Sequence, residues 1–333
     1  MNVLVTGAAG YVGSVCAEVL VERGHNVIGL DNLVDGHRQA VPREAVFWKC
    51  DLGDREQLDR LFGSRPIDAV MHFAAEALVE KSVREPSTFY VVNVACGVHL
   101  LDVMVRHGVK KLIFSSTAAV YGEPEKTPIP EEHPKAPINP YGQSKLVFEQ
   151  ILERYGAYTG LQHVSLRYFN AAGASNERGE DHRNETHLIP RLLEVALGKR
   201  KQIEVNGNDY PTPDGTCIRD YVHILDIAEA HVLALAQIER FTGQAFNVGN
   251  NRGYSVMEVL EVARRVTGQP IPAVVTPRRP GDPAILVASS DKIRRDLGWQ
   301  PRFSSLESIL ETAWAWKRGF PLGYKGVLDN RAS

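Results

Sequence analysis

The run Val3-Leu4-Val5-Thr6-Gly7-Ala8-Ala9-Gly10-Tyr11-Val12-Gly13 decides how this chain is read. A short apolar strand candidate meets glycines at 7, 10 and 13, and a helical apolar pattern then runs from Val15 to Arg23 until Gly24 stops it. Strand, glycine turn and helix in that order place a pyrophosphate on a helix N-terminus, where unbonded N–H groups point at it. Glycine is needed where backbone must approach phosphate and where the helix must lie close to the strand. The spacing is G-x-x-G-x-x-G rather than G-x-G-x-x-G, so the general dinucleotide fingerprint is not matched outright. A tight turn with small packing residues would use the same letters. Position favours the phosphate reading, because this is the first βα turn of the chain. Gly7, Gly10, Tyr11, Val12 and Gly13 are the expected contacts.

Working outward, a second strand over Asn26–Leu30 ends in Asp31. A carboxylate there, ~20 residues past the loop, suits the ribose hydroxyls of NAD and repels a 2′-phosphate. Asn32 follows, not an arginine, which favours NAD over NADP; a turn cap is the plainer role for Asp31. A third strand over Val46–Cys50 ends at Asp51-Leu52, where a carboxylate contacting adenine is expected. Asp54 can cap a helix to Phe62. A fourth strand, Ala69–Phe73, runs into Ala74-Ala75, with His72 read as a core residue. A helix is expected from Ser87 to about His107, then a fifth strand, Lys111–Ser115, ending at Ser116-Thr117. A sixth, His163–Tyr168, delivers Phe169 and Asn170. Strands alternating with helix-length segments imply an α/β fold, a doubly wound, Rossmann-like parallel sheet. Ligands of such sheets lie at the strand C-terminal ends. Asp31, Asp51, Phe73, Thr117, Phe169 and Asn170 all fall there.

In Asn139-Pro140-Tyr141-Gly142-Gln143-Ser144-Lys145, Pro140 suits a first helical turn, and an apolar helical pattern continues to Leu152. Tyr141 and Lys145 then share one helix face. A phenol ionises near ~10, and bringing it to neutrality is worth ~4 kcal/mol. One ammonium about 5 Å away supplies only ~3 kcal/mol at an effective dielectric of ~20. A second positive group is required, and an oxidised nicotinamide is one. With a strand-end hydroxyl at Thr117, the set specifies hydride chemistry at a carbinol. Taken alone, Y-x-x-x-K also fits an amphipathic helix with a surface Tyr and Lys.

The 333 residues are 44% hydrophobic and 23% charged, with formal charge −2, so no basic field recruits nucleic acid or an acidic membrane. Cys16, Cys50, Cys96 and Cys217 are far apart and form no C-x-x-C pair, so neither a disulfide framework nor a metal site is expected. The N-terminus shows no signal-peptide pattern, and no apolar run approaches membrane-spanning length; a cytoplasmic location is expected.

The chain resembles the extended short-chain dehydrogenase/reductase family, and within it the nucleotide-sugar epimerases. The resemblance is carried by Val3–Gly7, Leu30-Asp31-Asn32-Leu33, His72-Phe73-Ala74, Ile113–Gly122, Tyr141-x-x-x-Lys145, Leu166–Asn170 and Gly179–His182. The most discriminating blocks are Gly207–Tyr221 and Pro277–Pro283. It implies inversion at sugar C4 of a UDP-sugar with NAD retained, Tyr141 as base, Lys145 on the nicotinamide ribose, and Thr117 on the reacting oxygen. Asn93 becomes a further NAD contact by the same resemblance, and a homodimer through helices near 87–107 and 140–157 is implied. Three departures stand out. Ala77 replaces a lysine that contacts the NAD phosphates in several members. Asn-x-x-Gly-Thr becomes Asn93-Val94-Ala95-Cys96-Gly97. Leu286 occupies the sugar-pocket gate, which is Tyr in strictly glucose/galactose enzymes, so acceptance of N-acetylated sugars is open.

Residues 1–170 are therefore expected to form the NAD-binding domain, with a strand near 244–250 returning to it. Residues 171–333 should be mainly a smaller nucleotide-sugar-binding lid. Thr186, His187 and Leu188 are assigned to the nucleotide sugar, Arg219 and Arg279 to phosphate, and Asp282 to the uridine ribose. Each arginine alone would read as a surface ion pair. Helices are expected at about 255–267 and 304–318, and a loose tail from Pro321. A 4,6-dehydratase needs Asp-Glu after the strand-five hydroxyl, where Ala118-Ala119 stand. A uronate or pentose epimerase is harder to separate. A non-catalytic NAD sensor would not need Tyr141, Lys145 and Thr117 together.

Overall fold

The computed structural model describes residues 1–279 and 282–326. In chain order the strands are β1 (Asn2–Thr6), β2 (Asn26–Asp31), β3 (Val46–Lys49), β4 (Ala69–His72), β5 (Lys111–Thr117), β6 (Gln162–Tyr168) and β7 (Asn170–Ala172). They continue as β8 (Ile203–Asn206), β9 (Ile218–His223), β10 (Gln244–Val248), β11 (Gly253–Ser255), β12 (Ala273–Thr276) and β13 (Ile285–Leu286). Seven of them form one parallel sheet in the order β10-β6-β5-β4-β1-β2-β3. Val3, Leu4 and Val5 are wholly buried, as a central parallel strand covered on both faces requires. The order reverses between β1 and β4, which opens a crevice at their C-terminal ends. The doubly wound parallel sheet expected from the sequence is present.

One face is covered by the helices Tyr11–Glu22 and Ile224–Ala236, with Ile293, Leu297 and Trp299 in the same core. The other is covered by Arg55–Ser64, Cys96–Arg106 and Pro140–Thr159. Asp54 caps the first of these, its Oδ1 accepting the Gln57 N–H at 3.0 Å. The second half thus gives the large sheet more than the returning strand. The helix Ile224–Ala236 and Trp299 join it too, with Trp299 Nε1 donating to the Asp226 carbonyl at 2.8 Å.

The helix expected from Ser87 is a continuous run, Pro86–Arg106, interrupted by a π-turn at Val91–Ala95. The turn carries Asn93, which is buried at 2% exposure. Such turns recur at functional sites because they re-aim one side chain without breaking the helix. The run is long and apolar enough by length and composition to cross a bilayer. Its Leu100, Leu101, Val103 and Met104 are spent on the sheet core. The departure at Gly97 has a packing reason: a Cβ there would lie 2.4 Å from Phe148 Cε2. Phe148 in turn packs on Phe114, ring centroids 4.8 Å apart.

Beyond the sheet, β7, β9, β11 and β13 form a small mixed sheet, and β8 pairs with β12. Helices Leu188–Ala196, Val256–Thr267 and Leu306–Gly319 close a separate core over them. The tail departs from expectation. Tyr324 is buried at 4% exposure, its hydroxyl accepting the Gly179 N–H at 3.1 Å, and its own N–H bonds Asp181 Oδ2 at 2.9 Å. An aromatic residue beside a polar loop found a second-half pocket that local sequence does not announce. Residues 327–333 of that expected tail lie outside the described residues.

Candidate active site

The glycine loop is shaped by contacts no side chain could share. Gly7 has φ +71°, and a Cβ on it would sit 2.6 Å from the Ala74 N. A Cβ on Gly13 would sit 2.2 Å from the Gly7 carbonyl oxygen. Gly10 is the N-cap of the helix Tyr11–Glu22 and supplies no side chain to its first-turn N–H groups. Those donors face the crevice of the sheet, which is the environment a pyrophosphate needs. Tyr11 fastens this helix start to the second half, its hydroxyl donating to the Gly173 carbonyl at 2.7 Å; Val12 packs into the core.

Asp31 ends β2 with Oδ2 accepting the Ala9 N–H at 3.0 Å and Oδ1 accepting the Leu33 N–H at 2.8 Å. Burial pushes its carboxyl up, and these two bonds oppose the push. Asn32 donates to Asp51 Oδ2 at 2.7 Å, so the β2 and β3 ends are joined, with Leu52 buried behind them. Phe73 packs against the His231 ring, centroids 4.7 Å apart and tilted by 43°, the Ala74 N–H reaches Thr6 Oγ1 at 3.3 Å, and Ala75 follows half-buried. His72 is a core residue at 2% exposure, bonded to Thr6 Oγ1 at 2.7 Å. The cradle fits NAD: glycines with no room for a Cβ, an uncapped helix start and a carboxylate at the second strand end. Where family members have lysine, Ala77 is exposed, and one turn later Lys81 pairs with Glu76 at 3.0 Å.

Asn93, expected to contact NAD, also bonds within the protein. Its Oδ1 accepts the Glu76 N–H at 2.8 Å, and its Nδ2 donates to the Glu76 carbonyl at 3.0 Å and to Ser144 Oγ at 2.9 Å. Both amide protons are therefore used inside the protein. Ser144 Oγ bonds the Tyr141 carbonyl at 2.8 Å, so Asn93 ties the loop after β4 to the helix bearing Tyr141 and positions both.

That helix, Pro140–Thr159, starts on Asn139, whose Oδ1 accepts the Gly142 N–H at 2.9 Å, a cap worth about 1 kcal/mol. It ends on Gly160 at φ 71°. Tyr141 and Lys145 share a face as expected. Phe89 meets the Tyr141 ring edge-on at 6.4 Å. Lys145, 4% exposed, donates to the Ser115 carbonyl at 2.8 Å. Burial brings its ammonium down to about 7, against the opposing pull of Glu149. Burial also pushes the Tyr141 phenol up, and a hydrogen bond with Thr117 opposes it. The expected lowering of the Tyr141 pKa is thus not produced by the protein alone. Desolvation outweighs the Thr117 hydrogen bond, so a further positive group is still required.

Sequence reasoning missed Glu149 and Arg167. Arg167 Nε and Nη2 meet Glu149 Oε1 and Oε2 at 2.9 and 2.6 Å, with both side chains under 8% exposed. Ser116 Oγ donates to the same carboxylate at 2.5 Å, and Arg167 Nη1 reaches the Tyr121 hydroxyl at 3.0 Å. The available signal was an arginine inside a strand of a doubly covered parallel sheet, which demands a buried partner.

Phe169 and Leu286 pack on one cluster with Val120, Tyr121, Ile129 and Leu146, so the gate position lies one shell from the Tyr141 helix. Asn170 Nδ2 donates to the Asp220 carbonyl at 3.0 Å. Arg219 and Asp282 form an ion pair, which brings the expected diphosphate clamp and ribose contact together. Arg279 is half-buried nearby, while Arg278 holds Asp209 Oδ1 at 2.6 Å and covers the Tyr210 ring at 4.2 Å. Thr186 is half-buried, His187 opens the helix Leu188–Ala196, and Leu188 packs on the second core.

A Rossmann-like sheet, a side-chain-free phosphate cradle and a Tyr/Lys pair beneath a strand-end hydroxyl define an NAD-dependent enzyme acting on a secondary alcohol. The chain belongs to the NAD dependent epimerase/dehydratase family, whose model matches residues 3–249. It is 51% identical over 329 residues to a UDP-glucose 4-epimerase of Halalkalibacterium halodurans, covering 97% of this chain and 98% of that one. A crystal structure of a UDP-glucose 4-epimerase superposes with TM-score 0.94 at 46% identity, covering 97% of this chain and 99% of the other. The enzyme of Bifidobacterium longum, crystallised with NAD+ and UDP, gives TM-score 0.92 at 38% identity, covering 97% and 100%.

Proposed function

We propose that this protein interconverts UDP-galactose and UDP-glucose by inversion at C4. The observation that carries the reading is the convergence of Tyr141, Lys145 and Thr117 beside the glycine cradle at the C-terminal ends of one sheet. NAD, when bound, accepts hydride from C4 and returns it to the other face of the sugar. Tyr141 takes the 4-hydroxyl proton as the hydride leaves and gives it back as the hydride returns, so the sugar regains both. Thr117 holds the reacting oxygen in place. Lys145 stands one helical turn from Tyr141 and favours the ionised phenol when its own ammonium is charged. Arg219 grips diphosphate with its planar fork, assisted by Arg279, while Asp282 takes the ribose. Asn170, Thr186, His187 and Leu188 complete the nucleotide-sugar wall and keep the 4-keto sugar bound while it turns over. Purified protein should convert UDP-galactose with no more than catalytic NAD added. Failure on both hexoses, with turnover of a UDP-uronate or UDP-pentose, would sink the assignment.

Leu286 is proposed as the gate of the sugar pocket and is smaller than Tyr, which leaves room for an N-acetyl group. Leu286→Tyr should lower kcat/KM for UDP-N-acetylglucosamine about tenfold or more, the scale of overpacking one side chain, and spare UDP-galactose. An equal fall for both substrates would place the gate elsewhere.

The assembly is proposed to be a homodimer through Pro86–Arg106 and Pro140–Thr159. Val83 and Val91, 60% and 56% exposed, present apolar surface beside this helix pair. Val83→Glu with Val91→Glu should convert a dimer to a monomer in sedimentation equilibrium; an unchanged mass would exclude this face. Four buried, unpaired cysteines support a reducing compartment, the cytoplasm.

A further inference from the structure

Glu180, His182, Glu185 and His187 lie within eight residues of chain, and one ligand atom from each falls within 4.8 Å of all the others. His182 Nδ1 lies 3.3 Å from Glu180 Oε1 and 3.3 Å from Glu185 Oε2. His187 Nδ1 lies 2.8 Å from Glu180 Oε1 and 3.1 Å from Glu185 Oε1. Each imidazole nitrogen therefore sits between two carboxylates, with Glu185 meeting the two histidines through different oxygens. A tetrahedral zinc ion with bonds of about 2.0–2.2 Å sets its ligand atoms about 3.3–3.5 Å apart. The measured edges approach that figure without rearrangement of the loop.

We propose that this loop is a binding site for a zinc-class divalent cation. Two imidazoles and two carboxylates make a neutral complex with such an ion, and the nitrogen donors select against calcium and magnesium. The glutamates need a positive partner, since their side chains are only 9% and 5% exposed. The histidines, 30% and 50% exposed, leave a path for the ion.

The donors are also held from both sides. Arg178 Nε bonds the Ala40 carbonyl at 2.7 Å, and Asp181 Oδ2 accepts the Tyr324 N–H at 2.9 Å. His187 begins the helix Leu188–Ala196. An ion would clip the loop to that helix start, and its binding would release any proton the imidazoles carried. Sequence reading overlooked the set because E-x-H-x-x-E-x-H is not a cysteine pattern. The rival occupant of the same geometry is two imidazolium–carboxylate pairs with no metal.

The test is calorimetric titration of chelator-treated full-length protein with zinc chloride alone. One saturable equivalent is expected, weakened about tenfold or more in His182→Ala, and cobalt(II) should give the visible bands of a tetrahedral site. Glu185→Gln gives the same readout should His182→Ala not fold. Absence of saturable binding, or one equivalent held as tightly by the folded variant as by the parent, would overturn the proposal. His187 is shared with the proposed nucleotide-sugar wall, but activity plays no part in this readout, so failure of zinc binding and failure of the epimerase reading are distinguishable.

Discussion

Tyr141→Phe is expected to lower kcat for UDP-galactose about a thousandfold while NAD remains bound. General acid–base transfer by one positioned group contributes about 10²–10⁴, and in the proposed mechanism a single phenol both removes the proton and restores it. Phenylalanine keeps the half-buried ring and its edge contact with Phe89 at 6.4 Å, so the fold should be unaffected. The loss should fall on kcat with little change in KM, because the hydroxyl acts in the transition state and not in ground-state binding. Bound NAD is measured on the purified variant after acid release. A variant that had lost its NAD would show Tyr141 to be a cofactor-holding residue instead.

The fold was legible where periodicity and punctuation agree. The glycines at 7, 10 and 13, the cap at Asp54 and the Pro140 helix start are local signals; each marked a real element, though the first helix starts at Tyr11, four residues before the Val15 read from its apolar pattern. Asp31, Asn32 and Asp51 were legible because parallel-sheet topology alone brings strand ends together. What was not legible depends on contacts distant in sequence. That Asn93 sits on a π-turn and bonds Ser144, 51 positions away, is not announced by its local sequence. Tyr324 reads as tail until Gly179, 145 positions away, accepts its company. The helix Ile224–Ala236 carries the apolar pattern of any core helix, and nothing in it says that it belongs to the first-half sheet. The Tyr141 and Lys145 shifts were not legible because burial is a tertiary quantity. Their spacing states that they meet, but not how dry the meeting place is.

Glu149 shows most plainly how stability and catalysis share parts. It lies one turn beyond Lys145 on the helix that bears Tyr141, and it holds Arg167 near the C-terminal end of β6. Glu149→Gln keeps the shape and removes the charge, leaving a guanidinium 4% exposed without its counter-ion. Breaking one side of such a pair costs about 3–5 kcal/mol, which should appear as a lower denaturant midpoint. The double variant Glu149→Leu/Arg167→Met should recover most of that loss, because buried pairs replaced by apolar groups are often neutral. Activity should not recover with it. Glu149 is the group that raises the Lys145 ammonium against burial, so removing it moves Lys145 further below about 7. If charged Lys145 supports the Tyr141 base, activity falls as pH rises through the Lys145 pKa, and the fall must begin at lower pH in both variants. A double variant restored in stability and unchanged in pH profile would assign Glu149 to packing alone. One restored in stability but shifted in profile would make the buried pair part of how the phenol is tuned.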